Sequence, residues 1–219
     1  MILIVANGDL EAGGEWLRPY LQQAEAIVAV DGGLSHLQQL GVMPHYLIGD
    51  RDSLTPAQQT AVDQAAVQQI TYSPEKDETD LELALLYACA EFGGAELMVA
   101  AVLGGRLDQM LANLLLLTHP ELQTCSITLR TPYQRAWLLT PATSPGRITG
   151  QVDDLVSLLP LGGNVRVAAT EGLQWPLHEE VLAFGPARGV SNRLTAVSAT
   201  VTITSGHLLL VHTDGRWGR

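Results

Sequence analysis

The chain opens with a continuous apolar run, residues 2–6, that stops at Asn7-Gly8-Asp9. Unbroken runs of this kind are expected of strands buried on both faces of a parallel sheet. The spacing then predicts a helix over 15–23, with Trp16, Leu17, Tyr20 and Leu21 on one side. Residues 26–30 repeat the apolar run and end in Asp31-Gly32-Gly33. The helix predicted over 34–40 stops at Gly41, a favoured C-terminal cap. Tyr46-Leu47-Ile48 leads into Gly49-Asp50-Arg51-Asp52-Ser53. Thr55-Pro56 then opens a helix to about residue 67, with Thr55 as cap and Pro56 in the first turn. Residues 70–72 form a short extended piece before Lys76-Asp77, and Thr79-x-x-Glu82 has the capping-box pattern of a helix running through Phe92. A further strand over 97–103 closes on Gly104-Gly105-Arg106-Leu107-Asp108, with a helix over 107–117 behind it.

This alternation predicts an α/β fold whose N-terminal part is a doubly wound, mostly parallel, Rossmann-like sheet. Helical periodicity ends near residue 126. Short strand-like runs follow over 127–130, 136–139, 154–159, 165–169, 195–203 and 208–212, separated by glycines and prolines. Thr204-Ser205-Gly206 reads as a hairpin turn between the last two. The expected organisation is an α/β domain over 1–125, connecting strands over 126–146, and a smaller antiparallel β-sandwich domain over 147–219.

The polar motifs all fall where a predicted strand hands over to a helix, the edge at which open α/β sheets bind ligands. Asp50 and Asp52, two apart at a strand end, point the same way and Arg51 the other. Asp77 and Asp80 share a face of the first turn of a helix. The first pair alone reads equally well as a turn, and the second as helix N-terminal acid. Together, with Asp31 and Asp108 on the same edge, they would repel one another without a cation. Mg²⁺ suits such a site, because it takes a few carboxylates and keeps places for water and phosphate oxygens. Lys76 is the only lysine in the chain. Arg106 offers a planar fork for phosphate, and Gly104-Gly105 lets backbone amides approach one closely. Neither a P-loop nor a dinucleotide fingerprint is present.

The net charge of −11 argues against a nucleic-acid binder, yet it is compatible with a polyphosphate bridged by a divalent cation. A hydrophobic content of 47% supports a sizeable core. Cys89 and Cys125 are in no metal-ligand spacing, and Cys89, inside a helical apolar run, reads as a buried free thiol. His207 and His212 read as structural or surface residues. The N-terminus reads as a first strand rather than a signal peptide, and no apolar run approaches the ~20 residues needed to span a bilayer. A cytoplasmic protein is expected.

Taken in order, Asp31-Gly32-Gly33, Gly49-Asp50-x-Asp52-Ser53, Lys76-Asp77-x-Thr79-Asp80 and Gly104-Gly105-Arg106-x-Asp108, with Asn113 on the next helix, resemble the motif series of thiamine pyrophosphokinases. Thr170-x-Gly172-Leu173-x-Trp175-Pro176-Leu177 and Gly189-Val190-Ser191-Asn192 resemble that family's C-terminal thiamine-binding domain. The resemblance implies transfer of a diphosphoryl group from ATP to the hydroxyethyl oxygen of thiamine, giving thiamine diphosphate and AMP. It implies a homodimer with thiamine near the subunit interface. It also implies Mg²⁺ on Asp50, Asp52, Asp77 and Asp80, and charge neutralisation by Lys76 and Arg106. ATP contacts would come from Asn7, Asp31, Gly32, Gly33, Ser53, Thr79, Gly104, Gly105, Asp108 and Asn113, and thiamine contacts from Trp175, Ser191 and Asn192. Asp80 and Asp108 both remain open as acceptor of the alcohol proton. Two departures stand out: Arg51 replaces the usual aromatic, and Gln109, which cannot exchange a proton, replaces the usual histidine. Two other readings stay in play, a diphosphokinase for a pterin-like heterocyclic alcohol and a protein that binds thiamine or nucleotide without turnover.

Overall fold

The unbroken apolar runs form the centre of a parallel sheet. The computed structural model describes residues 1–49, 54–73 and 75–216, and the chain divides into two units, Met1–Pro132 and Tyr133–Arg219. In the first unit, β1 (Ile2–Val5), β2 (Ala26–Val30), β3 (Tyr46–Gly49), β4 (Gln68–Thr71), β5 (Glu96–Ala100) and β6 (Ser126–Arg130) lie in the order β6-β5-β1-β2-β3-β4. Every pairing among them is parallel. The helices are α1 (Arg18–Gln23), entered through a 3₁₀ stretch at Ala12–Leu17, then α2 (Gly33–Gln39), α3 (Pro56–Gln64), α4 (Asp80–Glu91) and α5 (Leu107–Leu116). All of β1 and β2 is buried, so neither strand shows polar alternation. Leu3, Val5, Ile27, Ala29 and Met98 share one core with Leu34 and Leu37 of α2 and Val62 of α3. Leu81, Ala84, Leu85 and Ala88, at helical spacing, form the buried side of α4, which packs on β2 and β3.

Local chemistry sets the helix starts as expected. Thr55 and Gln58 cap α3 reciprocally, and Thr79 caps α4 by accepting the Glu82 amide. α5 is different. None of its residues is buried, and Leu107, Leu111 and Leu115, one turn apart, are 78%, 55% and 46% exposed. No helix among the described residues is long and apolar enough to cross a membrane.

The expectation of a free thiol is corrected. Cys89 near the end of α4 and Cys125 just before β6 form a disulfide, with Cα atoms 6.0 Å apart at a sequence separation of 36. The crossover from β5 to β6 causes this, because its Pro120–Leu122 turn packs against α4 and returns the chain beside Cys89.

Residues 126–146 divide between the units: β6 pairs with β5, whereas β7 (Gln134–Leu139) pairs with the last strand of the second unit. That unit continues with β8 (Gly146–Thr149), β9 (Leu155–Glu171), β10 (His178–Leu182), β11 (Asn192–Arg193) and β12 (Ser198–Thr213). Two expectations fail here. The runs at 154–159 and 165–169 are one strand, β9, and Thr204-Ser205-Gly206 is not a hairpin turn but the middle of β12. β9 and β12 pair antiparallel from Thr200–Glu171 to Thr213–Leu155, with register shifts between Thr202 and His207. Gly206, at φ 86°, lies in this bulged stretch. A bulge adds one residue and turns the following side chains to the other face. The buried positions accordingly change parity, from Val156 and Leu158 to Val165 and Val167 in β9, and from Ala199 and Val201 to Leu208 and Leu210 in β12. On either side of the bulge, β12 pairs with β8 and with β7.

His212, read as structural or surface, is buried and hydrogen-bonded to a carboxylate. Its Nε2 lies 2.8 Å from Asp154 Oδ2, and Asp154 also accepts the amides of Gln151 and Gly215. Burial pushes the imidazole pKa down, against the pull of Asp154. Burial would raise the Asp154 carboxyl, but the two amides and His212 outweigh it and hold it below the usual range. At neutral pH the pair is therefore a neutral imidazole donating to a carboxylate.

Candidate active site

In the first sheet the chain moves outward from β1 to β4 on one side and places β5 and β6 on the other, so the strand order reverses between β1 and β5. A cleft of about 660 Å³ opens at this switch point. Its walls are residues 6–9 after β1, Val30 at the end of β2 with Asp31 after it, Ala101, Val102, Gly104 and Gly105 after β5, the start of α4, and Arg106 before α5 with Gln109 and Asn113 along it. Of the residues singled out in the sequence, Asn7, Asp31, Thr79, Asp80, Gly104, Gly105, Arg106, Gln109 and Asn113 line it together. Gly32, Gly33, Lys76, Asp77 and Asp108 are not among its lining residues. Asp50, Arg51, Asp52 and Ser53 lie outside the described residues. Asp9 and Glu78 also line the cleft and were not singled out; the position of Asn7-Gly8-Asp9 directly after the first strand was the signal for Asp9.

The glycine pairs have separable reasons. A Cβ on Gly33 would sit 2.0 Å from the Val5 carbonyl oxygen, and one on Gly32 2.3 Å from Asn7 Oδ1. Both are required for α2 to begin against the end of β1. Gly104 and Gly105 are left-handed, at φ 85° and 78°. A Cβ on Gly104 would meet the Asp9 side chain at 2.4 Å, whereas nothing lies within 4 Å of that position on Gly105. Gly105 therefore leaves open space for a close-approaching group. Asp31 and Ala101, at the ends of β2 and β5, are left-handed without being glycine, at φ 49° and 56°. Strained backbone of this kind gathers at binding sites.

The cleft's charges are already arranged. Lys76 Nζ is 2.6 Å from Asp80 Oδ1, with the two side chains 13% and 27% exposed, and it sits 5.7 Å from the centre of the Tyr72 ring. Arg106 Nε donates to Asp108 Oδ1 at 3.1 Å in an exposed pair. The Arg106 guanidinium, helped by the Gln109 amide, holds the Asp108 carboxyl below the usual range. Asp108 is thus a weaker proton acceptor than an ordinary carboxylate. Asn7 Nδ2 donates to Asp31 Oδ2 at 3.3 Å. Asn113 Nδ2 donates to the Val102 carbonyl at 2.8 Å and ties α5 to the exit of β5. Among the described residues no three His, Cys, Asp or Glu converge as a ready metal cage. The acidic groups lining the cleft, Asp9, Asp31, Glu78 and Asp80, are all oxygen donors. Mg²⁺ binds through one or two carboxylates plus phosphate oxygens, so this donor set fits it without a cage.

In the second unit, Trp175 is 55% exposed. The loop carrying it is closed at its base by Thr170, whose Oγ1 accepts the Leu177 amide at 2.8 Å. Asn192, buried beside it, accepts the amides of Trp175 at 3.1 Å and Arg193 at 2.8 Å, and donates from Nδ2 to the Trp175 carbonyl at 2.8 Å. The Asn192 side chain is engaged with the backbone that presents the indole. Ser191, left-handed at φ 61°, is exposed, and its amide donates to Ser157 Oγ at 3.1 Å.

Comparison with known proteins gives one consistent family. Residues 17–129 match the family model described as thiamin pyrophosphokinase, catalytic domain, and residues 147–209 that described as thiamin pyrophosphokinase, vitamin B1 binding domain. The thiamine pyrophosphokinase of Bacillus subtilis is 26% identical over 213 residues, 96% of this chain and 97% of that protein. Thiamine pyrophosphokinase 1 of Arabidopsis thaliana is 26% identical over 170 residues, 72% of this chain and 61% of that protein. The solved B. subtilis thiamine pyrophosphokinase superposes with a TM-score of 0.83 at 25% identity, covering 97% of this chain and 98% of that one. Yeast thiamin pyrophosphokinase shares the fold, with a TM-score of 0.78 at 17% identity over 97% of this chain and 86% of that one.

Proposed function

The chain belongs to the thiamine pyrophosphokinase family and is an ATP-dependent thiamine diphosphotransferase; we propose that the switch-point cleft takes the nucleotide and the exposed face of Trp175 takes thiamine. The observation that carries this placement is the convergence, in one cleft, of the strand-end motifs matched by the catalytic-domain model. The match of the second unit to a vitamin B1 binding domain favours thiamine over a pterin-like alcohol.

In the reaction, the hydroxyethyl oxygen of thiamine forms a bond to the β-phosphorus of ATP. The bond from that phosphorus to the α,β-bridging oxygen breaks, and AMP leaves with the electron pair. A primary alcohol is a weak nucleophile, so positioning and charge neutralisation carry the rate. Arg106, exposed at the cleft and already paired with a carboxylate, exchanges Asp108 for phosphate oxygens in the same forked geometry. Gly105 and the start of α5 bring backbone amides to the phosphates. Thr79 and Asn113 fix the helix starts that face the ligand. Lys76 holds Asp80 in place. Asp80, with Asp77 and, on the motif, Asp50 and Asp52, would hold Mg²⁺, which supplies the positive charge that an acidic cleft needs to accept a polyphosphate. The alcohol proton passes to a carboxylate, and the Arg106 pairing makes Asp108 a weaker acceptor than an ordinary carboxylate.

We read the enzyme as a cytoplasmic homodimer. The exposed stripe of Leu107, Leu111 and Leu115 supports the second copy, since an apolar helix face of this size on a monomer marks an interaction surface. Purified protein with ATP, Mg²⁺ and thiamine should release AMP and form thiamine diphosphate; release of ADP, or no product, would overturn the assignment.

A further inference from the structure

We propose that His36, which does not line the cleft, is a positioning residue that holds the Asn7-Gly8-Asp9 wall where ATP is received. The proposal rests on the assignment of the cleft to the nucleotide. His36 lies on α2, one turn beyond Gly33, the residue whose missing side chain lets α2 press against the end of β1. Its Nε2 is 2.8 Å from the Gly8 carbonyl oxygen. A carbonyl only accepts, so Nε2 carries the hydrogen, and the contact is the same for the neutral Nε2–H tautomer and for the imidazolium.

The opposite side of the wall is fastened to the exit of β5. The Gly8 amide donates to the Ala101 carbonyl at 2.7 Å and the Asp9 amide to the Leu103 carbonyl at 3.0 Å. A Cβ on Gly8 would lie 2.4 Å from the Ala101 oxygen, so the wall has no room to move that way. Asn7 reaches Asp31 at 3.3 Å from the front. His36 supplies a further hold, joining the wall to the helix after β2. Removing its donor leaves the Gly8 carbonyl without that partner and frees the wall to pivot about its β5 side, where the Gly8 and Asp9 amides stay bonded. The consequence is a misplaced phosphate-facing loop with an intact core.

The test compares His36→Met, which keeps length and apolar contact without a donor, with His36→Gln, whose amide restores one. For each variant, kcat, the KM for ATP, the KM for thiamine, calorimetric ATP affinity and Tm are measured. Loss of one hydrogen bond should raise the ATP KM and Kd of His36→Met by about 2- to 12-fold. The kcat and the thiamine KM should stay within about twofold, and His36→Gln should return toward wild type. An unchanged ATP KM in His36→Met, or a lowered Tm with no change in ATP binding, overturns the proposal. If His36→Met does not accumulate, a His36→Gln variant with normal Tm and tenfold weaker ATP binding overturns it equally, and one with wild-type ATP binding supports it. Calorimetry reads the nucleotide without turnover, so a wild type that binds ATP but releases no AMP sinks the activity assignment and leaves the role of His36 measured.

Discussion

Replacing Asn192 with alanine tests how the second unit presents Trp175. Asn192 is 6% exposed and makes three hydrogen bonds to backbone, two at Trp175 and one at Arg193. At about 1 kcal/mol net for each bond, truncation removes about 3 kcal/mol. Water reaches part of what is exposed, because Trp175 itself is 55% accessible, so about 2 kcal/mol is the working value. For a chain of this length that lowers Tm by roughly 4–8 °C. If half of the loss is felt by the ligand, the thiamine KM rises roughly fivefold, with the ATP KM unchanged. Trp175→Ala is the comparator: it should weaken thiamine at least as much with little change in Tm, since the indole is not part of the core. Thermal melts and initial rates at varied thiamine and ATP measure all four quantities. A lowered Tm with normal thiamine KM would refute the positioning argument, and a normal Tm would show that the three bonds carry no net stability.

Three other outcomes follow from the same structure. Under oxidising conditions, thiol titration of the denatured protein should find no free cysteine, and Cys89→Ser should cost about 2–4 kcal/mol, lost on adding reductant to the wild type; equal Tm for both oxidised proteins would exclude the bond. Leu111→Asp on the exposed face of α5 should lower the mass seen by light scattering from dimer to monomer at unchanged Tm, and an unchanged mass would remove that face from the interface. His212 titrates below its ordinary 6.5, so above that pH both states are neutral and stability is full. As the pH falls below 6.5 the unfolded chain takes up the proton first and stability declines, by at most about 1.4 kcal/mol for each pH unit. Asp154, lowered from 3.8, adds its loss only below that value. His212→Gln should flatten the limb that starts near 6.5, measured as denaturant midpoints across pH; an identical limb would assign it elsewhere.

The first unit was legible because each of its signals is local. Strands buried on both faces appear as unbroken apolar runs, Thr55 and Thr79 cap within three residues of themselves, and glycine-rich stretches mark the strand ends that surround the cleft. The second unit was less so. A glycine in the left-handed region serves a hairpin turn and a bulge alike, so Gly206 could not reveal that β12 runs straight through. What decides between them is the partner strand β9, which continues opposite both halves. The disulfide was hidden for a related reason: only the β5-to-β6 crossover brings Cys125 back to Cys89. Asp50 and Asp52, the pair proposed for the metal, lie outside the described residues, and their proposed role rests on the motif.

The motif glycines show why a residue pattern names a site more readily than it names contacts. Gly32-Gly33 and Gly104-Gly105 were both expected to touch ATP, but only the second pair lines the cleft. Gly33 is required by a carbonyl that a Cβ would strike at 2.0 Å, a constraint within the scaffold. Its product is indirect: α2 starts close enough for His36 to reach Gly8 and for Asn7 to reach Asp31. Gly105 has no such neighbour, so its left-handed backbone and open side face the place where a phosphate would come. Gly104 does both, turning the loop and clearing Asp9. The two pairs therefore separate by experiment. Gly33→Ala should fail by destabilising the fold, because the colliding atom is backbone and cannot turn aside. Gly105→Ala should instead meet no clash and show its cost in nucleotide binding, beyond the roughly 1 kcal/mol expected of an alanine held at positive φ.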